Sequence, residues 1–281
     1  MYSQNNHLNS KLKIWMFSLL LMITLIILVG GLTRLTDSGL SITTWELFSG
    51  VLPPLSNEKW VEYFNLYKNI PEYNEQNFNM NLNDFKVIFW WEWAHRQLGR
   101  LIGLSVLLPL MFFSIKNGLW ILRKYGFIFL LVCFQGFIGW YMVSSGLIER
   151  VDVSHYRLSL HLVTAFIILS VVFWKFLELT KIQSHYTSIN INLVKFFLFL
   201  LFLQLIIGAF VSGMDAGKIY NTWPLMGTSY FPDDSQFIEF LNLNVFDNPS
   251  IVQFIHRNLA YLIVGIYIYI LFFTIKERNE I

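Results

Sequence analysis

The segment GGLTRLTDSGLSITTW at 30–45 returns in altered form as GAFVSGMDAGKIYNTW at 208–223. Gly30, Asp37, Gly39, Thr44 and Trp45 recur without a gap as Gly208, Asp215, Gly217, Thr222 and Trp223, and Gly31 becomes Ala209. Each copy closes an apolar run and opens a polar, turn-rich stretch. The next apolar segment of each copy matches as well. EWAHRQLGRLIG at 92–103 and QFIHRNLAYLIV at 253–264 share the pattern His-Arg-(Gln/Asn)-Leu-small-x-Leu-Ile. Two matched segments in the same order mark a tandem duplication of one unit.

The surroundings of the repeat are those of a membrane protein. The chain has 281 residues, of which 55% are hydrophobic and 14% charged, against about 25% charged in a soluble domain. The mean hydropathy is +0.52. A net charge of +2 excludes nucleic acid as the expected partner. The one cysteine, Cys133, lies in an apolar run, so neither an intrachain disulfide nor a cysteine metal cluster is expected.

A helix needs about 20 apolar residues to cross the hydrocarbon. The stretches 14–32, 87–115, 126–143, 158–177, 194–211 and 251–275 meet or approach that length. The expected fold is an all-α integral membrane protein, a tandem-repeat bundle of transmembrane helices. Residues 1–182 form a four-helix N-terminal half and 183–281 a C-terminal half with two spans. By the logic of the repeat, two more helices are expected after Ile281, which makes six spans of eight.

The connections alternate. Lys11 and Lys13, then Lys116, Arg123 and Lys124, then Lys175 and Lys181, then Lys276 and Arg278 mark short basic ends. The loops 34–86, 144–157 and 212–250 are longer and more acidic. The positive-inside rule places the basic ends and both termini in the cytoplasm or the mitochondrial matrix. The N-terminus MYSQNNHLNSKLK contains no arginine. It differs from an Arg-rich transit segment, and a bacterial inner membrane is the expected location. The long outer loops hold most of the Trp, Tyr, Pro and Asn outside the spans and are expected to form ordered caps.

Of the six histidines, His7 and His185 lie in polar inner segments and read as solvated surface residues. His95, His161 and His256 each fall in the first turns of an outside-to-inside span, so they share a depth. His155 precedes the fourth span and reads as a loop residue beside the site. A single histidine in a span is as often a hydrogen-bonded core residue as a ligand. Three at one depth, two of them in matched contexts, favour ligation.

Zinc or a di-iron centre would want cysteines or carboxylates at that depth, and only Glu92 is near. Haem needs axial imidazoles, an apolar slot and cations for its propionates. His95 and His161 are candidates to sandwich a macrocycle, and His256 is a candidate axial ligand in the other half. Gly99 and Gly103 share the His95 face; the competing reading is small-residue helix packing. Arg96, Arg100, Arg157 and Arg257 cluster at the outer ends, either facing propionates or snorkelling to the interface. Trp90, Trp91, Trp93 and Trp140 either line the slot or belong to an interfacial belt. Glu92 shares a helix face with His95, as a proton acceptor or as a partner that orients a histidine or an arginine. Its counterpart is Gln253, which does not titrate. The two halves therefore read as a reactive site and a resident-cofactor site.

These segments, together with YRLSLHL at 156–162 and NPSIVQFIHRNLAYL at 248–262, resemble the haem A synthase family in its alphaproteobacterial and mitochondrial form. The resemblance covers nearly the whole chain, and GGLTRLTDSGLS and DAGKIYNTWPLM are specific segments. It implies two four-helix halves and oxidation of the C8 methyl of haem O to the formyl of haem A, for terminal oxidase assembly. It implies Glu92 as the catalytic residue. It gives His95 and His161 the substrate haem and His256 a resident haem b; Arg96 and Arg157 are the cations read beside the substrate haem. A fourth family histidine belongs to an eighth helix. Haem O synthase and oxidase assembly proteins are the implied partners, in membrane lipid, with the electron donor unnamed. The alternatives are a cytochrome b-like electron carrier and a non-catalytic haem-binding assembly factor.

Overall fold

The computed structural model describes residues 2–46, 49–180, 189–242 and 244–280. Lys181 and His185 lie outside the described residues, as do the side chains of 277–280, Arg278 among them. The helices are α1 (Tyr2–Leu35), α2 (Asn57–Tyr67), α3 (Pro71–Glu75), α4 (Leu82–Asn117), α5 (Trp120–Glu149), α6 (His155–Thr180), α7 (Ile191–Gly213) and α8 (Pro249–Glu280). Short 3-10 turns at Ser49–Val51, Ala216–Lys218, Phe237–Leu241 and Val245–Asp247 lie in the loops. No β-strand occurs among the described residues. Six helices, α1 and α4–α8, are long and apolar enough to cross a membrane. The chain is an all-α integral membrane protein.

Packing divides the chain into two compact units. The first comprises Met1–Ser154 and Thr164–Ile182, and the second His155–Val163 and Gln183–Ile281. The division cuts α6. Its first turns, with Arg157 and His161, group with the second unit, and the remainder groups with the first.

The first unit is a four-helix bundle with an ordered cap. Leu12, Met16, Leu19 and Ile23 recur at three- and four-residue spacing on α1 and meet Ile102, Val106 and Leu110 of α4. Ile121, Tyr125 and Ile128 of α5 and Ile168 and Val172 of α6 complete that core. Such spacing puts each set on one helix face. The Trp15 indole donates to Ser105 O at 2.8 Å, so a buried N–H is satisfied across helices.

A second cluster stands over the start of α4. It joins Leu40, Ile42, Trp60, Phe64, Tyr67 and Ile70 to Phe85, Ile88 and Phe89. The cap is built by local signals. Ser56 caps α2 by accepting from Lys59 N, and Asn81 opens α4 with a capping box closed by Asp84. Trp60 meets Phe89 edge to face at 4.9 Å. The cap also buries Glu72, which is 3% exposed and accepts from the Tyr67 hydroxyl at 2.9 Å. Burial pushes the Glu72 carboxyl up to about 8.

In the second unit α7 packs on α8 through Ile207, Phe210 and Val252, with Leu203, Ile206 and Ile255 around them. The first turns of α6 join here, where the Ser159 hydroxyl donates to Ile206 O. Asn190 caps α7 by accepting from Asn192 N.

Candidate functional site

The first turns of α4 carry the sequence-marked residues of the first unit. Glu92 is 3% exposed. Its Oε2 accepts from the Ser41 hydroxyl and from Ile42 N, both at 2.7 Å. Its Oε1 accepts from Arg96 at 2.6 Å, one helical turn on. Arg96 also donates to Ile42 O at 2.9 Å and Thr44 O at 3.1 Å, and stands over the Trp45 ring at 5.5 Å. Arg100 donates to Glu46 O at 2.6 Å and Gln97 to Gly50 O at 2.9 Å. One face of α4 is thus stitched to the loop that follows α1. The carboxylate is anchored by three donors, the arrangement that keeps a buried charge tolerable.

His95 stands against the backbone of α1. A Cβ added to Gly30 would lie 3.1 Å from its Nε2. Only a glycine at that helix position admits the imidazole so close. Gly31 and Gly103 have nothing within 4 Å of an added Cβ, and at Gly99 the nearest atom is Ile26 Cδ1 at 3.8 Å. The α4 glycines are therefore not used for tight helix packing.

The second unit repeats this construction. Arg257 donates to Tyr220 O at 2.6 Å and Thr222 O at 2.8 Å, the positions that correspond to Ile42 and Thr44. Gln253, in the place of Glu92, donates to Tyr220 O at 2.9 Å. Asp37 and Asp215 both take a left-handed backbone, with φ of 47° and 51°. His256 stands against α7 as His95 stands against α1: a Cβ on Gly208 would lie 3.0 Å from its Cε1. Tyr261, in the place of Arg100, accepts from the Trp223 indole at 2.7 Å.

The units differ beside the histidine. Gln204 of α7 puts its amide nitrogen 3.3 Å from His256 Nε2 and donates to His256 O at 3.2 Å. The corresponding residue of α1 is Ile26. His256 Nδ1 is buried with no hydrogen-bond partner.

His161 and Arg157 lie half-buried on the first turns of α6. His155 is packed into the second unit. Its Nε2 is 3.3 Å from Asp247, its ring meets Phe210 at 5.3 Å, and its Cβ crowds Gly213, where an added Cβ would be 2.7 Å away. These contacts make it a packing residue at the loop edge.

Ser41 and Gln204 were not singled out in the sequence. Ser41 carries no signal, because its bond to Glu92 depends on the path of the loop. Gln204 carries one: it is the one polar side chain in the run 196–211, and polar groups inside spans are costly.

Among the described residues no group of three or more His, Cys, Asp or Glu side chains could hold a metal ion. An iron held by an axial imidazole needs no such cluster of side chains and takes its other ligands from a porphyrin. The partnerless Nδ1 of His256 and the glycine-made seats of both rings fit the same group.

The family model described as cytochrome oxidase assembly protein matches residues 13–280. The chain is 50% identical to the heme A synthase of Pelagibacter ubique, over 100% of this chain and 84% of that protein. It is 44% identical to the heme A synthase of Parvibaculum lavamentivorans, over 89% of this chain and 74% of that protein. With that of Flavobacterium johnsoniae the identity is 42%, over 96% and 81%. No solved structure matches the chain.

Proposed function

The chain belongs to the family of cytochrome oxidase assembly proteins, and from that premise we propose that it is an enzyme that converts haem O to haem A. The reading agrees with its heme A synthase relatives. One observation supports it above the others. Both units seat an imidazole against a helix glycine, and only the first places a carboxylate one turn before it. A duplicated fold with one titratable copy suits a reactive half and a resident-cofactor half.

In this reading His95 faces the substrate haem, His161 is assigned to haem by the family resemblance, and His256 ligates a resident haem b. The resident haem would supply one-electron chemistry. The protein's own part is to position and to hold protons. Glu92 keeps a buried carboxylate fixed by Ser41, Ile42 and Arg96 on the helix face that carries His95. We assign it the proton removed as the substrate methyl is oxidised. Arg96 spends three donors on Glu92, Ile42 and Thr44, so it lends the propionate end charge and a firm loop. Arg157 is a second cation proposed for haem propionates. The proposed setting is a bacterial inner membrane with the N-terminus in the cytoplasm, supported by the basic short ends. Haem O synthase and oxidase assembly proteins are the proposed partners.

The test is Glu92→Gln, which installs the residue found at the matched position of the second unit. Membranes from cells supplied with haem O, with this chain as the sole enzyme of its kind, are extracted and the haem is weighed by mass spectrometry. The expected result is protein that retains haem but yields no haem A. Normal haem A from this variant would remove Glu92 from the chemistry. Wild-type protein that holds haem reversibly without changing its type would instead make the chain an electron carrier.

A further inference from the structure

We propose that each unit rests an apolar foot in the hydrocarbon edge of the bilayer leaflet on its loop side. The feet are Val51, Leu52 and Leu55 in the first unit and Phe237, Ile238 and Leu241 in the second. The proposal needs only the membrane spans and is independent of haem. Three observations carry it.

First, both segments are built inside out for a turn in water. Phe237, Ile238 and Leu241 are 75%, 61% and 80% exposed. Glu239, the one charged residue of 236–246, is instead turned back. Its carboxylate accepts from Gln236 N at 2.8 Å and from the Asn248 amide at 2.7 Å. Val51, Leu52 and Leu55 are likewise exposed, Leu55 by 80%. Glu46, the one charged residue of 46–57, accepts from the hydroxyls of Thr44, Ser49 and Tyr63. A turn in water shows its charge and hides large apolar side chains. Clustered exposed apolar side chains mark a surface that something apolar covers.

Second, each foot is mounted at the loop end of a lipid-facing helix face. Leu101, Leu104, Leu108 and Met111 run along one face of α4 and stay exposed in the four-helix bundle. Gln97 heads that face and donates to Gly50 O at 2.9 Å, inside the 3-10 turn Ser49–Val51. The matching face of α8 carries Leu262, Tyr269 and Phe272, also exposed. Asn258 heads it and accepts from the Tyr230 hydroxyl. One turn earlier, Phe254 packs against Phe231 at 5.1 Å and Phe240 at 6.2 Å, and Phe240 meets Phe237 at 5.4 Å. Phe254 lies about 7–8 Å along the span that starts at Pro249. The foot thus packs on the end of the span itself, the depth at which interfacial apolar side chains bury.

Third, the two feet have unrelated sequences. The matched segments end at Trp45 and Trp223, and the feet come after them, as VLPPL at 51–55 and FIEFL at 237–241. Two different sequences present exposed apolar turns at equivalent helix positions. The bilayer is the surroundings that both positions share. A protein partner would have to fit two different surfaces.

The experiment uses the full chain carrying Cys133→Ser, reconstituted in phosphatidylcholine and phosphatidylglycerol vesicles. Leu52→Cys and Ile238→Cys each receive a nitroxide. Leu104→Cys supplies the lipid reference, and the exposed Glu58→Cys and Lys218→Cys supply the water references. Collision of each label with molecular oxygen and with a water-soluble nickel chelate is read by power saturation. Oxygen should exceed the chelate at 52 and 238, as at 104, and the order should reverse at 58 and 218. Leu55→Cys and Leu241→Cys repeat the measurement, so that a poorly folded variant does not decide it. A chelate collision rate at 52 and 238 equal to that at 58 and 218 would overturn the proposal, because the feet would then stand in water. Labels at 52 and 238 shielded from both probes would overturn it as well, since a second copy or another protein would then cover the feet.

Discussion

Gly208 and His256 occupy one another's space: a Cβ on the glycine would stand 3.0 Å from the imidazole Cε1. Gly30 and His95 repeat the relationship at 3.1 Å. Neither glycine needs a special backbone conformation, since both lie inside helices. They are small so that a ring can lie against the helix. Gly208→Ala should push His256 by a few tenths of an ångström, and Gly208→Val should displace it. Overpacking of this kind costs about 1–3 kcal/mol. Haem content per folded protein should fall in the order wild type, alanine, valine. Equal haem content across the series would show that the ring seat does not serve ligation.

The arginine clasps predict a local effect. Arg257 holds Tyr220 O and Thr222 O, and Arg96 holds Ile42 O and Thr44 O. Lysine cannot reproduce a fork that bonds two carbonyls at once. Loss of one charge-assisted bond is worth about 1.5–3 kcal/mol. Hydrogen exchange in 215–223 should therefore speed up at least about tenfold in Arg257→Lys, with the spans unchanged. Arg96→Lys should do the same for 37–46. Loop protection equal to wild type in both variants would refute the clasp.

Asp37 and Asp215 stand in the left-handed region, at φ 47° and 51°. An L-residue with a Cβ pays about 1–2 kcal/mol there, and Asp or Asn less than most. Asp215→Ala should lower the temperature of thermal inactivation, whereas Asp215→Gly should leave it near wild type or above. An alanine variant as stable as the glycine variant would mean that the turn relaxes away from this conformation.

The Glu72 carboxyl gives the outer cap a pH dependence. Its folded-state value of about 8 lies above the ordinary 4.5, first because burial penalises the charge. A raised value means that the folded cap holds the proton more tightly than the unfolded chain does. The stabilisation is full below about pH 4.5. It is lost as pH rises towards about 8, by about 1.4 kcal/mol per unit. Protection factors for residues 57–78, corrected for intrinsic exchange, should fall between pH 5 and 8. They should become nearly flat in Glu72→Gln. A wild-type profile that is already flat over that window would contradict the burial effect.

Much of this was legible without coordinates. The apolar runs were long enough to mark six crossings, because the hydrocarbon sets a length that any spanning helix must meet. The matched segments at 30–45 and 208–223 declared the duplication, and the family followed from the same motifs. The helical repeat alone placed Glu92, His95 and Arg96 on neighbouring positions of one helix. The helices of the cap were less visible, because α2 and α3 are short and their apolar residues are aromatic, as an interfacial belt would also be.

A pairing of Glu92 with an arginine was one of the readings, but the loop groups that the arginines and the glutamate touch were not visible. Arg96 read as a cation for propionates or as a side chain snorkelling to the interface. In the folded chain its partners are two carbonyls and Glu92. Glu92 in turn is held by a serine hydroxyl and a main-chain N–H from the preceding loop. The physical reason is that main-chain groups are the same at every residue. No side-chain pattern announces which carbonyl a guanidinium will find. Spans, repeat and histidine contexts follow from side-chain identity along the chain. The clasp on Ile42 and Thr44, the seats at Gly30 and Gly208 and the amide of Gln204 at His256 follow from where the loops and helices come to rest.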